Sequence, residues 1–358
     1  MMATRDWPDA PFLALDLDAF ERNVGHLADT IVVQGGKRWR PHTKAIRSPG
    51  IALRLQAAGA HGVTCATVWE AQTMVDAGIR DVLIASQVVA PSALRKLAEL
   101  NHTARVIAAI DAPVHIDLLR SAAAAAGVVI PVVIEVDIGL QRAGVASGLA
   151  ALALARTLVS DPHLHFCGVM AWEGQTTRVL GSAAKEAAIR ASVTLLTDTA
   201  RHCTQAGIPV EIVSCGGTGT YTVTSGLEGV TELQAGGGVF GDLRYRHEFH
   251  MPLEPALTLV ATVLSRPSPR RIVCDAGWKY HGYHPTQSQP LHLPCDARLA
   301  YSAEHLTLDC DADVAGFAVA DRIEFAVGYA DSTVFMHREI VAMRNRTIED
   351  VLPLPARP

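Results

Sequence analysis

The chain has 358 residues, 49% of them hydrophobic and 19% charged, and a formal net charge of -5 at pH 7. That is apolar material for more than one small domain, and the charge balance, without a Lys/Arg run, gives no reason to expect a nucleic acid or an anionic membrane as partner. Seven scattered cysteines without a CxxC pair read as reduced thiols. No run approaches the ~18 apolar residues of a membrane span, and Met1 to Asp6 precede no apolar signal core, so a cytoplasmic protein is expected.

In chain order, Phe12 to Asp16 reads as a first strand, with Asp18 capping the helix after it. Strand-like apolar runs then recur at Arg38 to Lys44, Gly62 to Thr64, Val82 to Ala85 and Val106 to Ile110. They continue at Pro131 to Asp137, Phe166 to Ala171, Val210 to Ser214 and Thr231 to Gln234. Helical spacing fills the intervals, as in Ser48 to Ala58, Val68 to Asp76, Pro91 to Leu100 and Ser182 to Gln205. With Phe12 to Asp16 set aside, eight strand–helix units remain, the closing number for a (β/α)8 TIM-like barrel; an open doubly wound sheet is the competing α/β arrangement. After about Gly238 the texture changes to short strand-like runs punctuated by Pro and Gly, without clear helices: Thr258 to Ser265, Arg271 to Ala276, His305 to Leu308, Arg322 to Val327 and Glu339 to Met343. The expected organisation is a barrel over residues 17–238, and a mainly β domain from residues 1–16 and 239–358 that the first strand is free to join.

In such barrels chemistry gathers at the C-terminal strand ends, and phosphate sits beyond strands seven and eight. The first barrel strand ends Arg40-Pro41-His42-Thr43-Lys44, and a lysine at the barrel mouth, once desolvated, becomes a nucleophile for aldehydes. The fifth is followed by a loop carrying Arg142, a permanently charged partner for a cofactor's pyridine nitrogen or, in the plainer reading, an ion-pair partner of Asp137. The sixth ends at Trp172-Glu173-Gly174-Gln175: Trp172 walls the pocket or belongs to the core, and Glu173 or Gln175 orients groups. The seventh runs into Gly216-Gly217-Thr218-Gly219-Thr220-Tyr221, whose glycines let the backbone approach a phosphate, helped by threonine hydroxyls and a helix N-terminus. The eighth ends Gln234-Ala235-Gly236-Gly237-Gly238, a second glycine-rich turn.

These residues resemble the fold-type III pyridoxal-phosphate enzymes, in the D-threonine aldolase and D-serine dehydratase branch. The resemblance is carried by Arg40 to Lys44, Val136 to Val145, Gly216 to Tyr221, Gly62 to Thr67, Glu232 to Gly236 and Cys274 to Gly277, and runs from about Leu15 to Pro353. It implies an alanine racemase-like barrel with a C-terminal β domain, and a homodimer with shared active sites. It further implies pyridoxal 5'-phosphate held as a Schiff base on Lys44, Arg142 at the pyridine nitrogen, and Gly216, Gly217, Thr218 and Gly219 at the phosphate with Tyr221 nearby. Gln234 and Gly236 flank the cleft, with His42 and Trp172 as further pocket residues.

Two departures stand out. Lys44 is followed by Ala45-Ile46-Arg47 rather than Thr-His-Lys. Near the C-terminus, Asp331 matches a carboxylate ligand of the metal-dependent members, while Tyr329 stands in place of their histidine. A divalent metal (Mg, Mn or Zn) at Asp331, with His281, His284 or water, is one expectation; an acid/base role for Tyr329 is the other. His281 and His284, three apart, otherwise suit a solvated loop.

The implied activity is cleavage of Cα–Cβ in D-3-hydroxy amino acids to glycine and an aldehyde, with Lys44, His42, His281 and Tyr329 as proton-handling candidates. Dehydratase-like elimination from D-serine or 3-hydroxyaspartate, and racemisation, are the alternatives. A cofactor-buffering protein or a phosphate-binding isomerase barrel are rivals of other classes; the residues after Gly238 argue against the first.

Overall fold

The structure is a computed structural model describing residues 7–355, so the leader reading of Met1 to Asp6 lies outside the described residues. The described chain divides into two compact units. One holds residues 25–44 and 51–236, the other residues 7–24, 45–50 and 237–355.

The first unit carries eight parallel strands: Arg38–Trp39, Val63–Cys65, Asp81–Gln87, Arg105–Ile110, Ile130–Asp137, Leu164–Met170, Ile212–Cys215 and Glu232–Leu233. Each pairs with its neighbour in chain order, and the eighth pairs with the first. The remaining seam, between first and second strands, is bridged at His42↔Thr64, where the N–H of Thr43 donates to Thr64 (2.7 Å) and that of Thr64 to Pro41 (3.0 Å). The barrel is therefore closed, which removes both sheet edges. The ladder of the first strand is interrupted at Pro41, which has no N–H; Arg40 and His42 on either side still donate to Leu233 and Gln234. Alternate residues fill the interior in layers, with Leu83, Ile107, Val133, Cys167, Met170 and Ile212 forming its apolar middle. Helices Val68–Asp76, Pro91–Leu100 and Ser182–Gln205 fall where their apolar spacing puts them.

The second unit is mainly strand. Phe12–Asp16 lies in its sheet, antiparallel to Leu257–Ser268 and parallel to Glu339–Arg344. Asp16, not Asp18, caps the following helix: its Oδ1 accepts from the N–H groups of Asp18 and Ala19 (2.9 and 3.0 Å), while Asp18 pairs with Arg344. Phe12, Ala14, Val260, Val341 and Met343 share one face. The sequence reading overlooked three strands, Gln289–Pro290, Ala297–Tyr301 and Thr347–Pro353. It also overlooked three short α-helices, Leu243–His247, Trp278–His281 and Ala330–Thr333. All seven cysteines are free thiols, six of them buried. No helix among the described residues is long and apolar enough to cross a membrane.

Candidate active site

The candidate residues fall into two groups, one on each unit. On the barrel they gather at the C-terminal strand ends. Lys44 lies in a turn two residues past the His42 bridge and is exposed on the chain taken alone, not desolvated as the sequence reading expects, because the turn lifts it clear of the barrel interior. His42 is half-buried, and its Nδ1 accepts the N–H of Lys44 at 3.3 Å. Beside it, the N–H of His42 donates to Gln234 (3.0 Å), and Gly236 lies so close that a Cβ there would come within 2.2 Å of the His42 carbonyl oxygen. Only glycine lets the first and eighth strand ends meet this tightly. Gln234 in turn donates its backbone N–H to Gly216 (3.0 Å) and its side-chain amide to Ser214 (2.9 Å). Lys44 and the glycine-rich loop thus sit at the ends of next-but-one strands, about 10 Å apart by ordinary strand spacing. That span suits pyridoxal phosphate, whose aldehyde and phosphate lie at opposite ends of one ring.

The loop is held from beneath. Glu173 is fully buried, and its carboxylate accepts from the Gly216 N–H (3.2 Å) and the hydroxyls of Thr220 (2.7 Å) and Thr224 (3.1 Å). Burial pushes its carboxyl above the usual range, against those hydrogen bonds. Trp172 lies against the loop: a Cβ on Gly217 would meet its ring at 2.5 Å. Among the described residues the buried N–H of Gly219 donates to no acceptor, a donor left for an anion. The residues present fit the phosphate of the cofactor. Tyr221 is fully buried, with its hydroxyl 2.9 Å from Nε2 of His26. The helix it opens is a single turn, Tyr221–Thr224.

Arg142 is exposed and reaches Glu135 at 3.8 Å, not Asp137. Asp137 is occupied in folding the loop, accepting from the N–H groups of Gly139 and Gln141. Glu135 is buried, bonded to Gln87 (2.6 Å), and burial raises its carboxyl. Gln175 ties the neighbouring strand ends together, donating to the carbonyl of Ile138 and to Ser192 (3.0 Å each). Sequence reasoning missed Glu135 and Gln87, although a carboxylate within the apolar run Ile130–Asp137 is a visible signal.

On the strand-rich unit, His281 is buried, not in a solvated loop. Its Nδ1 is 3.0 Å from the Ser288 hydroxyl, its ring meets Tyr301 and Phe325 edge-on, and burial lowers its pKa to about 3. Tyr329 packs on His284 at 4.5 Å and on Tyr245. Burial, followed by the nearby Asp331, holds its phenol above the ordinary range. The guanidinium of Arg244 lies 4.5 Å above the Tyr329 ring. Asp242, buried beneath, takes the N–H groups of Tyr245 (3.0 Å) and Ala330 (2.8 Å), and burial raises its carboxyl to about 7. Arg244 and Asp242 carried no sequence motif. Among the described residues, one set of three potential metal ligands converges within 4.8 Å: His165, Cys167 and Glu211. That set is at the barrel's N-terminal end, where Arg105 already holds Glu211 at 3.0 Å.

Comparison with known proteins agrees with this architecture. The family model "Alanine racemase, N-terminal domain" matches residues 15–244, and "Putative serine dehydratase domain" matches residues 256–343. The chain is 32% identical to a D-threonine aldolase of an Arthrobacter species, covering 98% of this chain and 93% of that one. It is 31% identical to a 3-hydroxy-D-aspartate aldolase of Paracoccus denitrificans, covering 97% and 92%. The solved D-threonine aldolase from Filomicrobium marinum superposes with a TM-score of 0.92 at 33% identity, covering 97% of this chain and 95% of that one.

Proposed function

The chain belongs to the fold-type III pyridoxal-phosphate family with an alanine racemase-like barrel, and from that premise we propose that it is a lyase cleaving Cα–Cβ of D-3-hydroxy amino acids to glycine and an aldehyde. The observation that carries the cofactor assignment is the shared rim: Lys44 and the Gly216 to Gly219 loop at next-but-one strand ends, tied together through Gln234 and Gly236. The full-length likeness to two aldolases supports the reaction type.

In this reading the barrel unit, residues 25–44 and 51–236, binds pyridoxal phosphate. Lys44 carries its aldehyde carbon, and Gly217, Thr218 and Gly219 receive its phosphate, with Trp172 under the loop. Arg142, held by Glu135, keeps a proton off the pyridine nitrogen, since a permanent charge beside that atom disfavours a second. The bound cofactor supplies the electron sink for the pair released at Cα. His42 takes the β-hydroxyl proton, standing half-buried two residues before Lys44 at the same strand end. Tyr329 keeps its hydroxyl proton through burial and acts as a donor. His281, buried and bonded to Ser288, supports the fold around Tyr329 and is not a base. The working form is a cytoplasmic homodimer.

Incubating the purified, cofactor-loaded protein with D-threonine, D-serine and the alanine enantiomers tests the proposal. Glycine and acetaldehyde from D-threonine are expected. A 2-oxo acid and ammonia from D-serine alone would make it a dehydratase, and exchange between alanine enantiomers alone a racemase.

A further inference from the structure

We infer that the Tyr329–Asp331 turn works without a divalent metal, its positive charge supplied by the guanidinium of Arg244, which lies 4.5 Å above the Tyr329 ring. A divalent ion needs several imidazole, thiolate or carboxylate donors converging on one point. Most acceptors around this turn are already engaged, although the buried Nε2 of His281 makes no hydrogen bond among the described residues. Both oxygens of Asp242 take backbone N–H groups, those of Tyr245 and Ala330. Glu248 accepts from Nε of Arg244 (3.3 Å) and from the Thr286 hydroxyl. The Nδ1 of His284 takes the Thr286 N–H (3.0 Å), and that of His281 lies on Ser288. His281, His284 and Asp331 do not form a converging three-ligand set among the described residues.

What stands beside Asp331 is Tyr329, a neutral phenol hydrogen-bonded to that carboxylate and a weak ligand for a divalent ion. Arg244 is fixed over its ring, clamped by Glu248 and stacked against Phe249 as well (5.2 Å). A divalent cation placed here would meet a permanent like charge across a few ångströms of partly buried protein. Arg244 is in this account a positioning residue that holds Tyr329 and places a permanent positive charge beside it.

The test is metal analysis of the cofactor-loaded enzyme after incubation with Mn2+ or Zn2+ and desalting. Wild type and Arg244→Lys, which keeps the charge, are expected to retain less than about a tenth of an ion per chain, whereas Tyr329→His combined with Arg244→Gln gains metal several-fold. One ion per wild-type chain, lost in Asp331→Asn, would overturn the inference; so would uptake by Arg244→Lys equal to that of Arg244→Gln, each in the Tyr329→His background. The inference rests on the lyase reading only in its kinetic arm, where EDTA is expected to change D-threonine cleavage by less than about twofold. A metal-free protein that cleaves nothing would sink the lyase reading and leave this one standing. Cleavage that appears only with Mn2+ would do the reverse.

Discussion

The two ends of the barrel are built from the same eight strands and by opposite rules. At the N-terminal end, a buried core of charge is neutralised by partners that run out to the surface. Arg40, with no exposed surface, bonds Glu232 at 2.9 Å, itself fully buried, and also reaches Asp81. Arg105 joins Asp81 (3.2 Å) to Glu211 (3.0 Å), and Arg38 adds a second hold on Glu211 (3.5 Å). Burial opposes both charges, but the mutual attraction prevails: Arg40 is raised and Asp81 lowered from their ordinary ranges. At the C-terminal end the same strands finish in glycines, an exposed lysine and a loop with a donor unspent. The difference teaches that in this barrel complete polar satisfaction marks the structural end, and incomplete satisfaction the end reserved for a ligand.

The contrast predicts separable phenotypes. Lys44→Ala is expected to abolish the visible cofactor band and lower turnover by several orders of magnitude, while changing stability by less than about 0.5 kcal/mol; absorbance and urea unfolding check the two halves. Arg40→Met is the mirror case. It leaves the fully buried Glu232 with only Arg38, at 3.7 Å, and is expected to cost about 3–5 kcal/mol, with turnover per folded molecule unchanged; a loss of turnover at preserved stability would break the comparison. Gly236→Ala falls between, since its methyl group must displace the His42 backbone: about 1–3 kcal/mol from overpacking, together with weakened cofactor retention on dialysis. His281→Gln sharpens the account on the other unit. The folded pKa of His281, about 3, lies below the ordinary histidine value of 6.5, so the unfolded chain binds more protons in that interval. Wild type therefore loses stability as pH falls below about 6.5, by about 1.4 kcal/mol per pH unit from this group. Urea midpoints between pH 7 and 5 should show a steeper decline in wild type than in His281→Gln.

Much of this was legible in the sequence because the signals are local. Helices Val68–Asp76 and Pro91–Leu100 announce their own ends through the Thr67 cap and Pro91, and the glycine runs mark the rim directly. The overlooked hairpin strand Thr347–Pro353 follows Asn345-Arg346, both at positive φ (49° and 64°). Arginine there conceals a two-residue turn that Asn-Gly would have advertised. Partners distant in sequence were not readable. Glu232 is 192 residues from Arg40 and Glu173 is 43 from Gly216, and nothing in either neighbourhood names the other. That blindness is why Arg142 was weighed against Asp137, the nearest acid in the loop, when strand geometry delivers it to Glu135.

The most direct test of the central claim is borohydride reduction of the cofactor-loaded enzyme, which fixes the cofactor to its lysine, followed by peptide mass mapping. The pyridoxyl adduct is expected on the peptide containing Lys44 and nowhere else. An adduct on another lysine, with Lys44 recovered unmodified, would contradict the assignment of the glycine-lined rim as the cofactor site.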